Sequence, residues 1–286
     1  MMRKFKIKEK IYKGIDRIVF RYLPLLLTMS FVLFPFYWTA VTALKREKDI
    51  LKSPIKFLPD PPTFENILFA WKNSGFSVFF KNTLYVSLVT AVVVIIFSIL
   101  VSYGLSRFRF RGKRSFLMML LVTQLIPSNM LIIPLFIIFN KLGLISTLLS
   151  LIITYITFQL PFNAVLMKSF VDNIPYDLEE AGMIDGCSRM GCILRIVMPM
   201  LIPGTIAIGA FAFLGSWNEF IFPVMLINKK ASFVISVGLN YMMGQNVMLY
   251  GSLAAGSLIA LTVPVLIFAV LQKYLVQGLS AGAVKG

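Results

Sequence analysis

The chain has 286 residues, of which 58% are hydrophobic and only 14% are charged, and its mean hydropathy is +0.84. A soluble domain carries about a quarter charged residues and must wet most of its surface, so this composition excludes a water-soluble globular fold. The sequence has no histidine and two cysteines, Cys187 and Cys192. This inventory argues against a zinc or other metal site and lacks the commonest general base.

The net charge of +16 comes from Lys and Arg residues that stand between the apolar stretches. Basic residues in such positions orient membrane helices and attract anionic lipid. We therefore expect membrane lipid as a partner and no nucleic acid.

Six apolar segments have the length of a membrane-spanning helix, which needs about 20 residues. None shows the ten-residue alternation of a barrel strand. The sequence predicts an all-α integral membrane protein with a bundle of about six transmembrane helices. The spans are expected at 22–44, 83–105, 116–140, 147–167, 201–227 and 252–271.

The domain organisation follows from these spans. Residues 1–21 are charged and precede a retained first helix rather than a cleavable signal. The transmembrane domain is predicted at 22–273, with a long loop at 168–200, and a short tail follows at 274–286. The proline-rich connection after the first span is expected to form an ordered turn rather than a domain.

The basic cluster at 107–114, between the second and third spans, favours placing that connection in the cytosol. Both termini and the loop 168–200 are then cytoplasmic as well. The first external connection also carries several Lys and Arg residues, which reduces the difference in basic residues between the two sides of the membrane.

Polar residues interrupt two of the spans. Gln124 and Asn129 stand beside Pro127 in the third span, which indicates either an ordinary kink or a helix that borders a wet cavity. Asn218 and Glu219 stand late in the fifth span, and Glu219 is the only carboxylate within an apolar segment. These four residues are candidates for a substrate pathway, with structural hydrogen bonding at the interface as the alternative.

The loop 168–200 has the signals of a short helix. Pro175 suits the first helical position, and Asp177, Glu179 and Glu180 come early, where the helix dipole favours carboxylates. Gly186 is placed to end the helix with a positive φ.

One narrow apolar stripe runs along this short helix, because apolar residues occur at every third position, namely Leu178, Ala181 and Ile184. A helix of this length is marginal alone in water, so the stripe needs a partner. It packs either on its own bundle or in a groove of a cytosolic protein.

The same loop resembles the cytoplasmic signature of permease subunits in binding-protein-dependent ABC importers. The matching residues are Glu180-Ala181-Gly182, Asp185-Gly186, Ile196 and Pro199. Three positions depart from the family pattern, with Gly182 and Cys187 where alanine is usual and Met198 where leucine is usual. Further stretches at 102–112, 141–144, 160–162, 217–220 and 276–286 are similar to the carbohydrate-uptake permeases, of the maltose-type second permease group.

The resemblance implies that the loop forms a coupling helix in a cleft of a separate ATP-binding subunit. It implies alternating access driven by a dimer of those subunits, together with a second permease and an extracytoplasmic solute-binding protein. The tail would reach the ATPase dimer, unless it is an ordinary disordered terminus. The residues implied in coupling are Glu179, Glu180, Ala181, Gly182, Asp185, Gly186 and Pro199.

The sequence contains no Gly-x-x-x-x-Gly-Lys-Ser/Thr motif, since Gly112-Lys113 is followed by Arg114. We therefore expect no cofactor on this chain, with ATP and Mg²⁺ used by the partner subunit. One rival hypothesis is a self-contained transporter or channel, but the sequence has no acid–base pair near the centre of a span that could couple transport to an ion. Another is an intramembrane enzyme, but the sequence has no paired set of catalytic side chains.

Overall fold

The computed structural model describes residues 18–244 and 248–283, and every regular element within those ranges is helical. Most of the predicted N-terminal segment 1–21 lies outside the described residues, and so does the end of the tail 274–286. The main helices in chain order are α1 (Leu23–Ala43), α2 (Glu65–Lys72), α3 (Phe76–Arg107), α4 (Lys113–Thr123), α5 (Ile132–Lys141), α6 (Leu148–Asp172), α7 (Asp177–Ile184), α8 (Arg189–Met200), α9 (Ile202–Trp217), α10 (Ile221–Leu226), α11 (Ile235–Met243) and α12 (Tyr250–Ala283).

Four of these helices are long and apolar enough to cross a membrane on their own, namely α1, α3, α6 and the part of α12 up to Tyr274. Two bent pairs raise the number of candidate spans in the described residues to as many as six. The prediction of an all-α membrane protein with about six spans is confirmed.

The first bent pair differs from the single helix that the sequence predicted at 116–140, whereas the second bends at Leu201, where the predicted span 201–227 begins. The axes of α4 and of the helical run Ser128–Lys141 differ by 89°, and those of α8 and α9 by 72°. Pro127 at the first break has no N–H to continue the ladder of α4. The fifth predicted span is also shorter than expected, because α9 ends at Trp217 and α10 begins anew at Ile221.

The described residues form two compact units, and the smaller comprises 18–74 with 248–259. Its centre is Asn66, a buried side chain whose Nδ2 donates to the carbonyl oxygens of Ala43, at 2.9 Å, and Lys45, at 2.6 Å. These bonds satisfy carbonyls that the end of α1 leaves without helical partners. Glu47 Oε2 accepts from the Gly251 N–H at 2.9 Å. These bonds hold the connection after α1 at Glu47 and at Asn66.

Among the described residues the larger unit comprises 75–244 and 260–283, and α3, α6 and α9 form its centre. Small residues let these helices approach closely, as is usual in membranes, where lipid gives apolar side chains no reason to associate. A Cβ atom at Gly204 of α9 would lie 2.6 Å from the Phe170 ring of α6, and one at Gly209 would lie 2.9 Å from Ile95 of α3.

An apolar cluster joins the ends of these helices next to the loop 168–200. Its members come from α3, α6, the α6–α7 connection and the segment from α8 to α9, and they are Tyr103, Leu166, Met167, Val171, Ile174, Val197, Leu201 and Ile208. The loop is therefore built onto a packed core.

Candidate functional site

The short helix α7 lies in the loop 168–200, and the predicted end signal is confirmed. Gly186 has φ +88°, its N–H donates to the Met183 carbonyl at 3.1 Å, and the Cys187 N–H donates to the Gly182 carbonyl at 2.9 Å. These two bonds form a Schellman motif, which requires a left-handed residue at the position of Gly186. At the other end α7 begins at Asp177, so Pro175 lies two residues before the first helical position rather than in it.

One side of α7 is exposed. Leu178 and Ile184 of the predicted apolar stripe are 41% and 85% exposed, and Ala181 between them is exposed as well. Apolar side chains on a marginal helix gain stability only when another surface covers them. The part of the chain that the structure describes leaves this stripe uncovered, so the first alternative, packing on the bundle, is not seen among those residues.

The carboxylates Glu180 and Asp185 are exposed on α7 and directly after it, as is the backbone at Gly186. Pro199, the last of the residues that the resemblance implicated, is exposed near the end of α8. The structure therefore presents apolar, acidic and small residues of the signature together on one short segment.

Gly182 lies on the opposite, buried side of α7. A Cβ atom there would lie 2.5 Å from Ile196 Cδ1 and 3.2 Å from Cys192 Sγ, both of α8. Cys192 Sγ also donates to the Glu179 carbonyl oxygen at 3.7 Å. Position 182 usually holds alanine in the family whose signature this loop resembles. The glycine here permits a close approach of α7 to α8.

Glu179 shares this buried side, so its carboxylate points into the chain rather than to the exterior. Arg107 Nε donates to Glu179 Oε1 at 2.5 Å, and the Tyr103 hydroxyl donates to Glu179 Oε2 at 2.8 Å. The side chains of Arg107 and Glu179 are only 10% and 3% exposed. Arg107 Nη2 also donates to the Ile174 carbonyl at 2.8 Å. Glu179 therefore fixes the position of α7 from within.

Sequence reasoning did not identify Tyr103 and Arg107 as parts of this site. Arg107 was noticed as a member of the basic cluster that orients the chain, and both residues lie in the stretch 102–112 that carried the family resemblance. Nothing in the sequence connects this stretch with Glu179, more than seventy positions later.

The four pathway candidates lie at two breaks between helices. Gln124 and Asn129 are exposed in the bend between α4 and α5. Asn218 is exposed at the end of α9, and Glu219 follows it in the connection to α10, not inside a spanning helix as predicted.

Glu219 caps α10. Its Oε1 accepts from the backbone N–H groups of Ile221, at 2.9 Å, and Phe222, at 3.3 Å, while Ser236 Oγ donates to its carbonyl oxygen at 2.8 Å. A helix start leaves its first N–H groups without partners, and a carboxylate is well suited to accept from them. The structure thus gives Glu219 a structural role.

Within the described ranges 18–244 and 248–283, no group of three His, Cys, Asp or Glu side chains lies close enough together to hold a metal ion.

Two cavities of about 510 Å³ occur in separate units. The one in the smaller unit is lined mainly by apolar residues, and the one in the larger unit is lined by Leu105, Phe110, Gly112, Lys113, Arg114, Ser115, Leu117 and Lys168.

Residues 95–281 match the family described as "Binding-protein-dependent transport system inner membrane component". The chain is 33% identical to the inner membrane ABC transporter permease protein YcjP of Escherichia coli K12, over 96% of this chain and 98% of YcjP. It is 32% identical to the galactooligosaccharides transport system permease protein GanQ of Bacillus subtilis 168, over the full length of both.

A solved structure shares the fold. A chain of a bacterial ABC transporter involved in the import of the acidic polysaccharide alginate superposes with a TM-score of 0.81 at 21% identity, covering 91% of this chain and 97% of the other.

Proposed function

Because this chain belongs to the family of binding-protein-dependent transport system inner membrane components, we propose that it imports a sugar or a related carbohydrate as the permease subunit of an ATP-driven transporter. It is a multi-pass membrane transport component and not an enzyme. The galactooligosaccharides in the name of GanQ support a carbohydrate as the solute.

The observation that carries the coupling mechanism is the exposed side of α7. Leu178 and Ile184 offer an apolar ridge to a groove, and Glu180 and Asp185 beside it offer charges to a basic rim. The partner of this surface is one subunit of an ATP-binding dimer, whose closure on ATP pushes the permease from an inward-facing to an outward-facing state. ATP and Mg²⁺ are bound by that dimer, since this chain has no phosphate-binding motif.

Three further partners complete the transporter. A second permease provides the other half of the pathway, a solute-binding protein delivers the carbohydrate outside the cell, and lipid surrounds the spans. The first span α1 offers a large contact area to the second permease or to lipid, because only 6% of its most apolar window is buried in this chain. Both termini and the α7 loop are placed in the cytoplasm, in agreement with the basic cluster at 107–114.

The experiment that tests the coupling surface uses Ile184, the most exposed apolar residue of α7. The tagged chain is purified from gently solubilised native membranes, and the proteins that accompany it are identified by mass spectrometry. Wild type is compared with Ile184→Glu, which places a charge on the ridge at a side chain that is 85% exposed, and with the control Ile184→Leu, which keeps the ridge apolar.

A second permease and an ATPase are expected with wild type and with Ile184→Leu, while Ile184→Glu loses the ATPase and keeps the second permease. If the wild-type chain purifies alone or as a homo-oligomer, and Ile184→Glu behaves identically, the importer assignment gives way to a self-contained channel or transporter.

A further inference from the structure

The ion pair between Arg107 and Glu179 joins two elements with different tasks in the transporter. Arg107 is the last residue of α3, which is a long membrane span, and Glu179 is the third residue of α7, which carries the coupling surface. Any displacement of α7 therefore acts directly on the loop-side end of α3.

Arg107 is held on the loop side by more than one group. Besides the carboxylate of Glu179 it bonds the carbonyl of Ile174, and its guanidinium stands over the Tyr176 ring at 5.8 Å from the ring centre. All three partners belong to the segment that leads into α7 or to α7 itself. A planar guanidinium with several directed bonds holds a fixed orientation better than a single flexible contact does.

The burial of the pair makes it a rigid connection. An exposed ion pair exchanges readily with water and fixes little. This pair is almost completely buried, and Tyr103, one helical turn before Arg107, occupies the second oxygen of the carboxylate. Separating the two charges would leave both without compensation in a dry site, which is strongly unfavourable.

We propose that Arg107 is a positioning residue that makes α7 and the loop-side end of α3 move as one body. The ATPase then does not merely bind α7 but displaces α3 with it, so that the Arg107–Glu179 pair transmits the movement to a membrane span. This inference rests on the proposed coupling of α7 to an ATPase and adds the route by which the displacement enters the bundle.

The test measures the distance between α7 and α3 by spin labelling. Cysteines replace Met183, a half-buried residue of α7 that lies outside the proposed coupling surface, and Leu100, which is 62% exposed on α3, in a background with Cys187→Ser and Cys192→Ala. The complex that purifies with the tagged chain is reconstituted in liposomes, and the distance distribution is recorded with and without ATP–Mg²⁺ and vanadate.

The parent complex is expected to give one narrow distance that ATP–Mg²⁺ and vanadate do not shift. Glu179→Gln and Arg107→Met are expected to keep the ATPase bound, but to broaden the distribution and let it shift with ATP. The double variant Arg107→Met/Glu179→Met is expected to narrow it again, since two apolar side chains can replace a buried pair whereas one uncompensated charge cannot. Rescue by the double variant is a result that simple misfolding of the single variants would not give.

Arg109→Met is the matched control, because Arg109 is an exposed cation two residues beyond Arg107 and its loss leaves the pair intact. A parent distance that shifts with ATP as far as in the single variants overturns this proposal and leaves the coupling surface standing. Single variants that keep a narrow, unshifted distance overturn it as well. Absence of an ATPase from the parent complex overturns the proposed function instead, and this inference with it.

Discussion

Gly182 of α7 lies so close to Ile196 of α8 that a Cβ atom on the glycine would be 2.5 Å from Ile196 Cδ1. The backbone of α7 at position 182 therefore packs directly on the side chain of Ile196, and this contact sets the distance between α7 and α8. A methyl group at position 182 would force one of the two helices, or the end of the Ile196 side chain, to shift.

Gly182→Ala is expected to change the free energy of unfolding by less than about 1 kcal/mol, because the flexible end of the Ile196 side chain can turn away at a cost that offsets the gain of at most about 1 kcal/mol from the better helix former. Ile196→Val removes the methyl group that would clash, so the double variant should be more stable than the sum of the single effects. Thermal unfolding of the four proteins in detergent measures this, and strict additivity would contradict the contact.

The left-handed backbone at Gly186 gives a second prediction. A Cβ atom there meets nothing within 4 Å and the residue is exposed, so alanine and tryptophan face the same backbone penalty of about 1–2 kcal/mol. Gly186→Ala and Gly186→Trp should thus lower the unfolding temperature alike, while only Gly186→Trp releases the ATPase from the purified complex.

Gly186→Asn is the control for this pair, since asparagine tolerates the left-handed region better than alanine does. It should keep both the stability and the ATPase. Loss of the ATPase in all three variants would mean that the backbone turn, rather than the space beside it, decides binding.

Two glycines within helices of the larger unit are expected to respond in opposite directions to alanine. A Cβ at Gly204 would lie 2.6 Å from the Phe170 ring, which has no flexible end to give way, whereas a Cβ at Gly104 meets nothing within 4 Å. Gly204→Ala should cost about 1–3 kcal/mol, and Gly104→Ala should stabilise by up to about 1 kcal/mol. Unfolding temperatures of the two variants in the same detergent test this, and equal shifts would contradict it.

Glu219 distinguishes a structural role from a role in the pathway. Its Oε1 accepts from the Ile221 and Phe222 N–H groups, and a glutamine carbonyl can accept in the same place. Glu219→Gln should keep the stability, while Glu219→Ala should lose about 1 kcal/mol, the usual effect of removing an N-terminal cap. Thermal unfolding checks this expectation.

Solute uptake in cells separates the two roles further. If Glu219→Gln folds with wild-type stability but abolishes uptake of the carbohydrate on which the cells grow, the negative charge itself is required. Wild-type uptake by Glu219→Gln assigns the residue to the start of α10 alone.

The membrane class and the approximate positions of the four continuous spans could be predicted from the sequence. Every segment that crosses lipid needs about 20 consecutive apolar residues whose backbone hydrogen bonds lie within the segment. Because this requirement concerns neighbouring residues only, it is visible in the sequence. The end of α7 was predicted for the same reason, because the glycine required by a Schellman motif is a local signal.

The breaks within the third and fifth predicted spans were underestimated. Pro127 indicates a break in the third span, but whether a proline kinks a helix slightly or ends it depends on the neighbours that satisfy the freed backbone groups. In the fifth span the Ile221 and Phe222 N–H groups donate to Glu219 Oε1, so α10 starts separately from α9.

The sequence by itself determined that this is an all-helical membrane protein with a short helix in the loop 168–200, since composition, apolar length and helix-end signals are properties of consecutive residues. The tertiary structure alone decided which side of α7 faces outward, why position 182 holds a glycine, and that Glu179 is paired with Arg107 and Tyr103. These facts depend on residues far apart in sequence that meet only where α3, α6 and α8 pack together, and no pattern along one helix contains that information.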